Sequence, residues 1–390
     1  MRTMHPVLKR GGLFWDRELL PPACYAQRFA RIKALIDESQ DDAWLLYGDV
    51  ERYGHVAWFS NFLPRTRSAL ALVPREDDPA ILLSVGQRDI PAAKTLTWID
   101  DVRPFSKLGT QLCALIKDKG LTRACFGLVG VEEQLALADW TDITAGLPDA
   151  RWETRTEAVS RLRQSKDEWE LAALRRSAAA VRAALDLVAD IARPGMTTRE
   201  LGAAADRVLR CRAAEDVRIL IAGGAQCGAS LRPPDDQVVQ AGDTIMVYVT
   251  GEVQRYWAEG ARTFTLGPAS PTLLVVAARA AEALAAMRRA AVPGASVSDI
   301  WARANAALDD PELRSSANAY GLGHGIGLDA EEAPFITTGS NELLVEGATL
   351  ALRIIGHRAG HGIALGEMIV VRARGADILI ESSGPVLCAR

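Results

Sequence analysis

The sequence predicts an α/β protein with a small N-terminal α/β domain and a larger second domain built from two related halves. Three observations support this prediction. The length of 390 residues suits two domains. Short apolar runs bounded by turn residues alternate with helical segments over the first part of the chain. In the second part of the chain, the same pattern occurs twice: a helix, a Pro-Gly pair, an N-cap residue and a further helix.

The first domain contains candidate strands and helices in alternation. The helices are predicted over Cys24–Glu38 and Leu108–Lys117. The predicted strands are Ala43–Tyr47, Ser68–Val73, Ala80–Leu83 and Ala124–Val129. The polar segment Asp149–Thr156 lacks apolar periodicity, so we place the domain boundary there, giving domains 1–155 and 156–390.

The second domain opens with a long amphipathic helix, predicted over Ser165–Ala192. Thr197 with Glu200, and Ser296 with Asp299, have the spacing of helix N-caps after two Pro-Gly pairs. The repeat indicates an internal duplication, with chance recurrence of helix-start signals as the alternative. Predicted strands cover Arg218–Ala222, Thr244–Thr250, Ala261–Leu266, Thr349–Ile355 and Glu367–Ala373.

Composition excludes several classes of protein. Apolar residues are 49% and charged residues 24%, which is unlike a disordered, collagen-like or coiled-coil chain. The net charge of -4 argues against nucleic acid or an anionic membrane as a partner. The six cysteines form no CxxC pair, and no signal peptide or membrane-spanning run is recognised. These features predict a soluble cytoplasmic protein.

Several short sequence motifs of the second domain resemble, in the same order, those of the creatinase / aminopeptidase P / prolidase family. They are Pro194–Thr197, Gly242–Asp243, Arg262–Phe264, Gly323–Leu328 and Glu332–Pro334. The resemblance implies a creatinase-like N-terminal domain, and a C-terminal pita-bread domain with a pseudo-twofold, curved antiparallel sheet. It also implies a homodimer that acts on a small molecule.

The same resemblance locates the family's two-metal site, which uses two Asp, one His and two Glu. These positions fall on Tyr248, Glu259, His324, Arg353 and Glu367. A guanidinium cannot lose its proton and would repel metal ions, so we expect no dinuclear centre. Glu259, His324 and Glu367 could still hold one ion. The expectation here is no metal and no cofactor, with the one-metal site as an alternative.

Creatinase is a branch of the family that works without metal, so the resemblance leaves catalysis open. The first hypothesis is a metal-independent enzyme, a hydrolase or lyase acting on a small polar substrate with a C–N bond. His324 would be its acid or base, and Glu259 and Glu367 would orient or share the proton. Arg353 would stabilise an anion, with Tyr248 in the same cluster. The alternatives are an inactive pseudo-peptidase that binds a peptide or partner, and a one-metal hydrolase.

Six further residues are candidates for substrate binding, and most of them have a plainer alternative. Arg65 and Arg67, in FSNFLPRTR, could bind a carboxylate or be solvated. His357 and His361, in GHRAGHG, suggest a mobile Gly-rich lid first and a binding site second. Arg262 and Glu331 complete the set, although the Glu331-Glu332 pair would ordinarily face solvent.

Overall fold

The structure is a computed structural model that describes residues 13–228, 230–382 and 387–388. It divides into two compact units, the first ending at Arg163 and the second beginning at Gln164. In the described part of the chain, no helix is both long enough and apolar enough to cross a membrane.

The first unit is built on a mixed β-sheet with the strand order β4-β3-β2-β1-β5-β6 among its described residues. The strands are β1 (Ala43–Asp49), β2 (Ser68–Pro74), β3 (Ala80–Leu83), β4 (Asp101–Pro104), β5 (Cys125–Val129) and β6 (Arg151–Thr154). The helices are α1 (Pro22–Ser39), α2 (Gly54–Ser60), α3 (Ile90–Lys94), α4 (Leu108–Asp118), α5 (Val131–Gln134) and α6 (Leu137–Gly146).

Burial on both faces explains why the strands of this sheet read as short, nearly continuous apolar runs. Every residue of β2, β3 and β5 is buried. The parallel pairs β1–β5, β3–β4 and β5–β6 require crossover connections, which supply covering helices. The predicted small α/β domain is confirmed.

The second unit follows the connecting helix α7 (Thr156–Gln164) and has one large sheet in the order β11-β10-β12-β13-β9-β8-β7. Its main strands are β7 (Asp216–Gly223), β8 (Thr244–Val253), β9 (Tyr256–Thr265), β10 (Gly323–Gly325), β11 (Glu332–Phe335), β12 (Thr349–Arg358) and β13 (His361–Arg372). β14 (Gly375–Ile380) pairs with β13, and β15 (Leu387–Cys388) pairs with β9. The helices are α8 (Glu168–Ile191), α9 (Thr198–Cys211), α10 (Pro271–Ala290), α11 (Val297–Ala307) and α12 (Pro311–Tyr320).

Matching backbone hydrogen bonds support the predicted duplication. In the first copy, Gly195 N donates to Val239 O and Val239 N donates to Met196 O. In the second copy, Gly294 N donates to Leu344 O and Leu344 N donates to Ala295 O. Thr197 and Ser296 each cap the helix that follows, by accepting from the backbone N–H three residues later. The two halves therefore share the same local design.

The large sheet has a helix-facing side and a second face. The helix-facing side of β12 and β13 carries Leu352, Ile354, Ile363 and Leu365, which pack in one core with helix residues such as Leu284. The second face carries a smaller apolar cluster of Ala222, Cys227, Met246, Ala261, Ile355 and Ala364, against which Leu231, Tyr248 and Tyr320 pack. Alternation along the strands therefore decides which predicted site residues can meet.

Candidate functional site

A polar cluster lies on the second face, and a row of directly paired residues places it there. Across β12, β13, β9 and β8 the row is Arg353, Gly366, Ala261 and Tyr248. Residues paired in this way point to the same face of a sheet. The small residues Gly366 and Ala261 occupy the middle of the row. The long side chains at its two ends can therefore reach each other, and Arg353 Nη1 lies 3.4 Å from Tyr248 Oη.

Arg353 is the centre of this cluster. Its Nη1 donates to Glu259 Oε1 at 3.2 Å and lies 3.2 Å from His324 Nε2. Its Nε donates to the carbonyl oxygen of Gly321, and its Nη2 donates to that of Tyr320. Arg353 and Glu259 therefore form a largely buried ion pair.

Glu259 is a buried carboxylate held in its charged form. It is 3% exposed and accepts a hydrogen bond from Tyr248 Oη at 2.7 Å. Burial alone would raise the pKa of Glu259, but His324, Arg353 and the Tyr248 hydroxyl lower that pKa to about 2. Burial and the charge of Glu259 raise the pKa of Tyr248 well above its usual value, so this phenol stays neutral.

Strand β10 presents His324 to the same cluster. Nδ1 lies 2.9 Å from the carbonyl oxygen of Gly325, which fixes the proton on Nδ1 and turns Nε2 toward Arg353 and Glu259. Burial would lower the pKa of His324, yet the hydrogen bond and charge of Glu259 raise that pKa above the ordinary value. The imidazole therefore retains a second proton to higher pH than a free histidine.

The raised pKa of His324 leads to a prediction for titration by NMR. The protonated imidazole contributes stability fully below pH 6.5, and the contribution is lost as pH rises through the folded-state pKa. With only five histidines in the chain, imidazole ¹⁵N shifts can follow each one. We expect Glu259→Gln to lower the pKa of His324, because burial and Arg353 are then opposed mainly by the weaker effect of the hydrogen bond to the Gly325 carbonyl.

Glu312→Gln is the matched control for this titration, because Glu312 lies 3.4 Å from a different histidine, His357. It should leave the His324 curve unchanged. A wild-type pKa of His324 at or below the ordinary histidine value would contradict the assigned role of Glu259.

Glu367 does not join the cluster. It pairs across the strands with Leu352, on the helix-facing side, and both its carboxylate oxygens accept from Arg288 Nη1 at 2.9 and 2.7 Å. Burial raises the pKa of Glu367 despite this partner. The residue opposite Arg353 is Gly366, which has no side chain. The predicted grouping of Glu367 with Glu259 and His324 therefore does not occur.

Arg262, one of the predicted binding arginines, also lies outside the cluster. Arg262 follows Ala261 on β9, points to the opposite face and forms an ion pair with Asp186 of α8. In the first unit, Arg65 is buried, and Arg67 donates to the carbonyl oxygen of Ser106 at 2.9 Å. Ligand binding by Arg65 or Arg67 stays a prediction.

The GHRAGHG segment is a tight β-hairpin rather than the predicted loop or lid. Arg358 pairs with His361, and Ala359 and Gly360 take positive φ angles of 47° and 78° in the two-residue turn. Positive φ at both turn positions is what such hairpins require, which explains the glycine. His357 and His361 therefore lie beside the hairpin turn, at the end of β12 and the start of β13.

Glu331 lies at the rim of the cluster. Its side chain is 56% exposed, and Oε1 lies 3.7 Å from His324 Nε2 and 3.8 Å from Arg353 Nη2. Glu331 therefore lies beside the cluster, and its predicted role in substrate binding stays a prediction. The sequence did not indicate Tyr320, whose carbonyl accepts from Arg353 and whose hydroxyl accepts from the backbone N–H of Leu231. A tyrosine at the end of a polar helix carries no local signal for such a role.

Comparisons with known proteins cover both units. Residues 172–373 match metallopeptidase family M24, and residues 28–165 match the creatinase/prolidase N-terminal domain. The chain is 24% identical over 317 residues to the "probable dipeptidase PepE" of Mycobacterium bovis, covering 80% of this chain and 81% of that protein.

Solved structures show the same two-domain fold. The X-Pro aminopeptidase of Thermotoga maritima superposes with a TM-score of 0.83 at 22% identity, covering 92% of this chain and 99% of the other. The dipeptidase PepE of Mycobacterium ulcerans superposes with a TM-score of 0.80 at 20% identity, covering 97% and 100%. These likenesses confirm the predicted pita-bread architecture.

Proposed function

Because the chain belongs to metallopeptidase family M24, we propose that it is a peptide-binding protein on a hydrolase fold that does not cleave its ligand. The main support for this proposal is the position of Arg353. Its guanidinium lies at the centre of the polar cluster, within 3.4 Å of atoms of Glu259, His324 and Tyr248.

The prediction of a metal-independent enzyme is wrong, because the matching family is one of metallopeptidases. The M24 relatives named above, a dipeptidase and an X-Pro aminopeptidase, are peptidases and therefore hydrolases. Hydrolysis by this chain in the manner of its family would therefore require residues that suit a catalytic metal.

The residues of the polar cluster do not suit a catalytic metal ion. Among the described residues, no group of three or more His, Cys, Asp or Glu side chains is arranged to hold a metal ion. Within the cluster, Glu259 and His324 are both engaged by Arg353, a permanent cation. Glu367, the third member of the predicted one-metal set, faces the other side of the sheet. The alternative of a one-metal hydrolase using these three residues therefore lacks a site.

The rim suits a ligand with a free amino group. Glu259 lies deep in the cluster, 3.2 Å from Arg353. The half-exposed carboxylate of Glu331 lies 3.7 Å from His324 and 3.8 Å from Arg353, and its solvent-facing side can pair with an ammonium group. The half-buried side chains of Leu231 and Tyr320 lie on the same face and offer apolar contact. The relatives' names refer to dipeptides and X-Pro peptides, so we propose a short peptide with a free N-terminus as the ligand.

Calorimetric titration of dipeptides into the purified chain tests this proposal. We expect free-amine dipeptides to bind and their N-acetylated forms to bind more weakly, by up to about fivefold, because an ion pair at a half-exposed carboxylate contributes about 0.2–1 kcal/mol. Glu331→Gln should cause a similar loss. Glu346→Gln, at an exposed carboxylate in the loop before β12, is the matched control and should bind as wild type does.

Hydrolysis is measured in the same samples by mass spectrometry, with Zn²⁺, Mn²⁺ or Co²⁺ added. We expect intact peptide in every case. Cleavage that disappears with a chelator would contradict the proposal, as would equal binding of free and acetylated peptides. The predicted homodimer and cytoplasmic location stay predictions.

A further inference from the structure

The second face of the large sheet carries an exposed arginine, Arg218, outside the polar cluster. Directly paired residues run from Arg218 on β7 through Thr250 on β8 to Glu259 on β9, so their side chains share that face. The guanidinium carbon of Arg218 lies 4.9 Å from the centre of the Trp257 ring. In the part of the chain that the structure describes, no carboxylate forms an ion pair with Arg218. This cation is therefore available to an anionic ligand.

Thr250, the neighbour of Arg218 in this row, adds a buried hydrogen-bonding group. The residue is 4% exposed, and its Oγ1 has no hydrogen-bond partner among the described residues. A buried hydroxyl without a partner is costly, so a ligand oxygen that enters beside it is favoured. Directly paired residues have Cβ atoms about 5 Å apart, which lets one carboxylate contact both the hydroxyl and the guanidinium. We infer that Arg218 and Thr250 form a subsite for the C-terminal carboxylate of a bound peptide.

This subsite rests on the proposed function and fixes the length of the ligand. Arg218 and Glu259 lie two strands apart in the sheet, so their backbones are separated by roughly 10 Å. Glu331 Oε1 lies 3.7 Å from His324 Nε2, which lies 3.4 Å from Glu259 Oε2. Glu331, which pairs with the amino group, and Arg218 are therefore also roughly 10 Å apart. An extended peptide spans about 3.5 Å per residue, so a dipeptide is too short to reach both, whereas a tri- or tetrapeptide is long enough.

Calorimetric titration of an alanine series tests the subsite with the full chain. Dialanine, trialanine and tetraalanine are each titrated as the free acid and as the C-terminal amide, always with a free amino group. We expect tetraalanine to bind about two- to fivefold more tightly as the acid than as the amide, which is the range of an ion pair at an exposed arginine. Dialanine should bind equally well in both forms, because its carboxylate does not reach Arg218.

Three variants assign the effect to particular side chains. Arg218→Met should abolish the preference for the acid of tetraalanine, and Thr250→Val should reduce it. Arg303→Met is the matched control, because Arg303 is an exposed arginine on α11 and forms no ion pair among the described residues. It should leave the preference unchanged.

Two results would overturn the inference: equal binding of acid and amide at every peptide length, or an acid preference that survives in Arg218→Met. N-acetylated tetraalanine separates this inference from the proposed function. If acetylation weakens binding but amidation does not, the carboxylate subsite alone is contradicted. If amidation weakens binding but acetylation does not, the subsite is supported and the proposed contact of the amino group with Glu331 is contradicted.

Discussion

Replacing Glu259 by leucine should lower the free energy of unfolding by about 3–5 kcal/mol, because it leaves the largely buried guanidinium of Arg353 without its main anion. The Glu259 side chain is 3% exposed and that of Arg353 13%, so water can replace the lost carboxylate only in part. Calorimetry should show the loss as a fall in Tm of roughly 6–20 °C for a unit of this size.

The double variant Glu259→Leu/Arg353→Met separates charge from packing. Replacing both members of a buried pair by apolar residues of similar volume is often neutral or stabilising. We therefore expect the double variant to regain most of the lost Tm, with a residual deficit because the Tyr248 hydroxyl loses its acceptor. A double variant as unstable as Glu259→Leu would show that the unpaired charge is not the cause.

Replacing Gly325 by alanine should cost about 3 kcal/mol or more, at or above the upper end of the range for overpacked sites. A Cβ atom at this position would lie 2.4 Å from the carbonyl oxygen of Ala333 and 2.8 Å from that of Glu332. Both atoms belong to the backbone of the neighbouring strand β11, which cannot move aside as a side chain could. His324 should shift with its strand, so the effect should also appear as altered titration of its imidazole.

Gly86→Ala is the control for this substitution. Its Cβ would meet only side-chain atoms of Asp89 and Arg88, at 3.3 Å and beyond. The backbone there is extended, with φ of -75°, which alanine adopts freely. We expect a change within about 0.5 kcal/mol. If urea denaturation shows the same loss in free energy of unfolding for Gly86→Ala and Gly325→Ala, the close approach of the β11 backbone is not the reason that position 325 requires glycine.

Local signals in the sequence predicted much of the fold. The capping pairs Thr197–Glu200 and Ser296–Asp299 are interactions between residues three apart, and both caps occur where the spacing indicated. The strands β2 and β3 could be recognised in the sequence as continuous apolar runs, because both faces of those strands are buried. The strands β10 and β11 were missed because they are too short to show alternation: β10 has three residues, two of them glycine, and β11 has four, one of them proline.

The sequence predicted only some of the residues that make up the site. The resemblance placed Tyr248, Glu259, His324, Arg353 and Glu331 in one region, and the structure brings them together. It also placed Glu367 there, whereas that side chain points to the helices. A difference of one residue along a strand moves a side chain to the other face, and residue type alone does not reveal that register.

By itself, the sequence determined which chemical groups are available, because residue types and local spacing are properties of the chain. It established a permanent cation at position 353, and it indicated the helix starts and the duplication of the second half. Only the tertiary structure decided which groups meet. Strand pairing sets Gly366 and Ala261 between Arg353 and Tyr248, leaving the space in which the guanidinium reaches Glu259 and His324. Such contacts join strands far apart in sequence, so their physical cause lies in sheet register and burial.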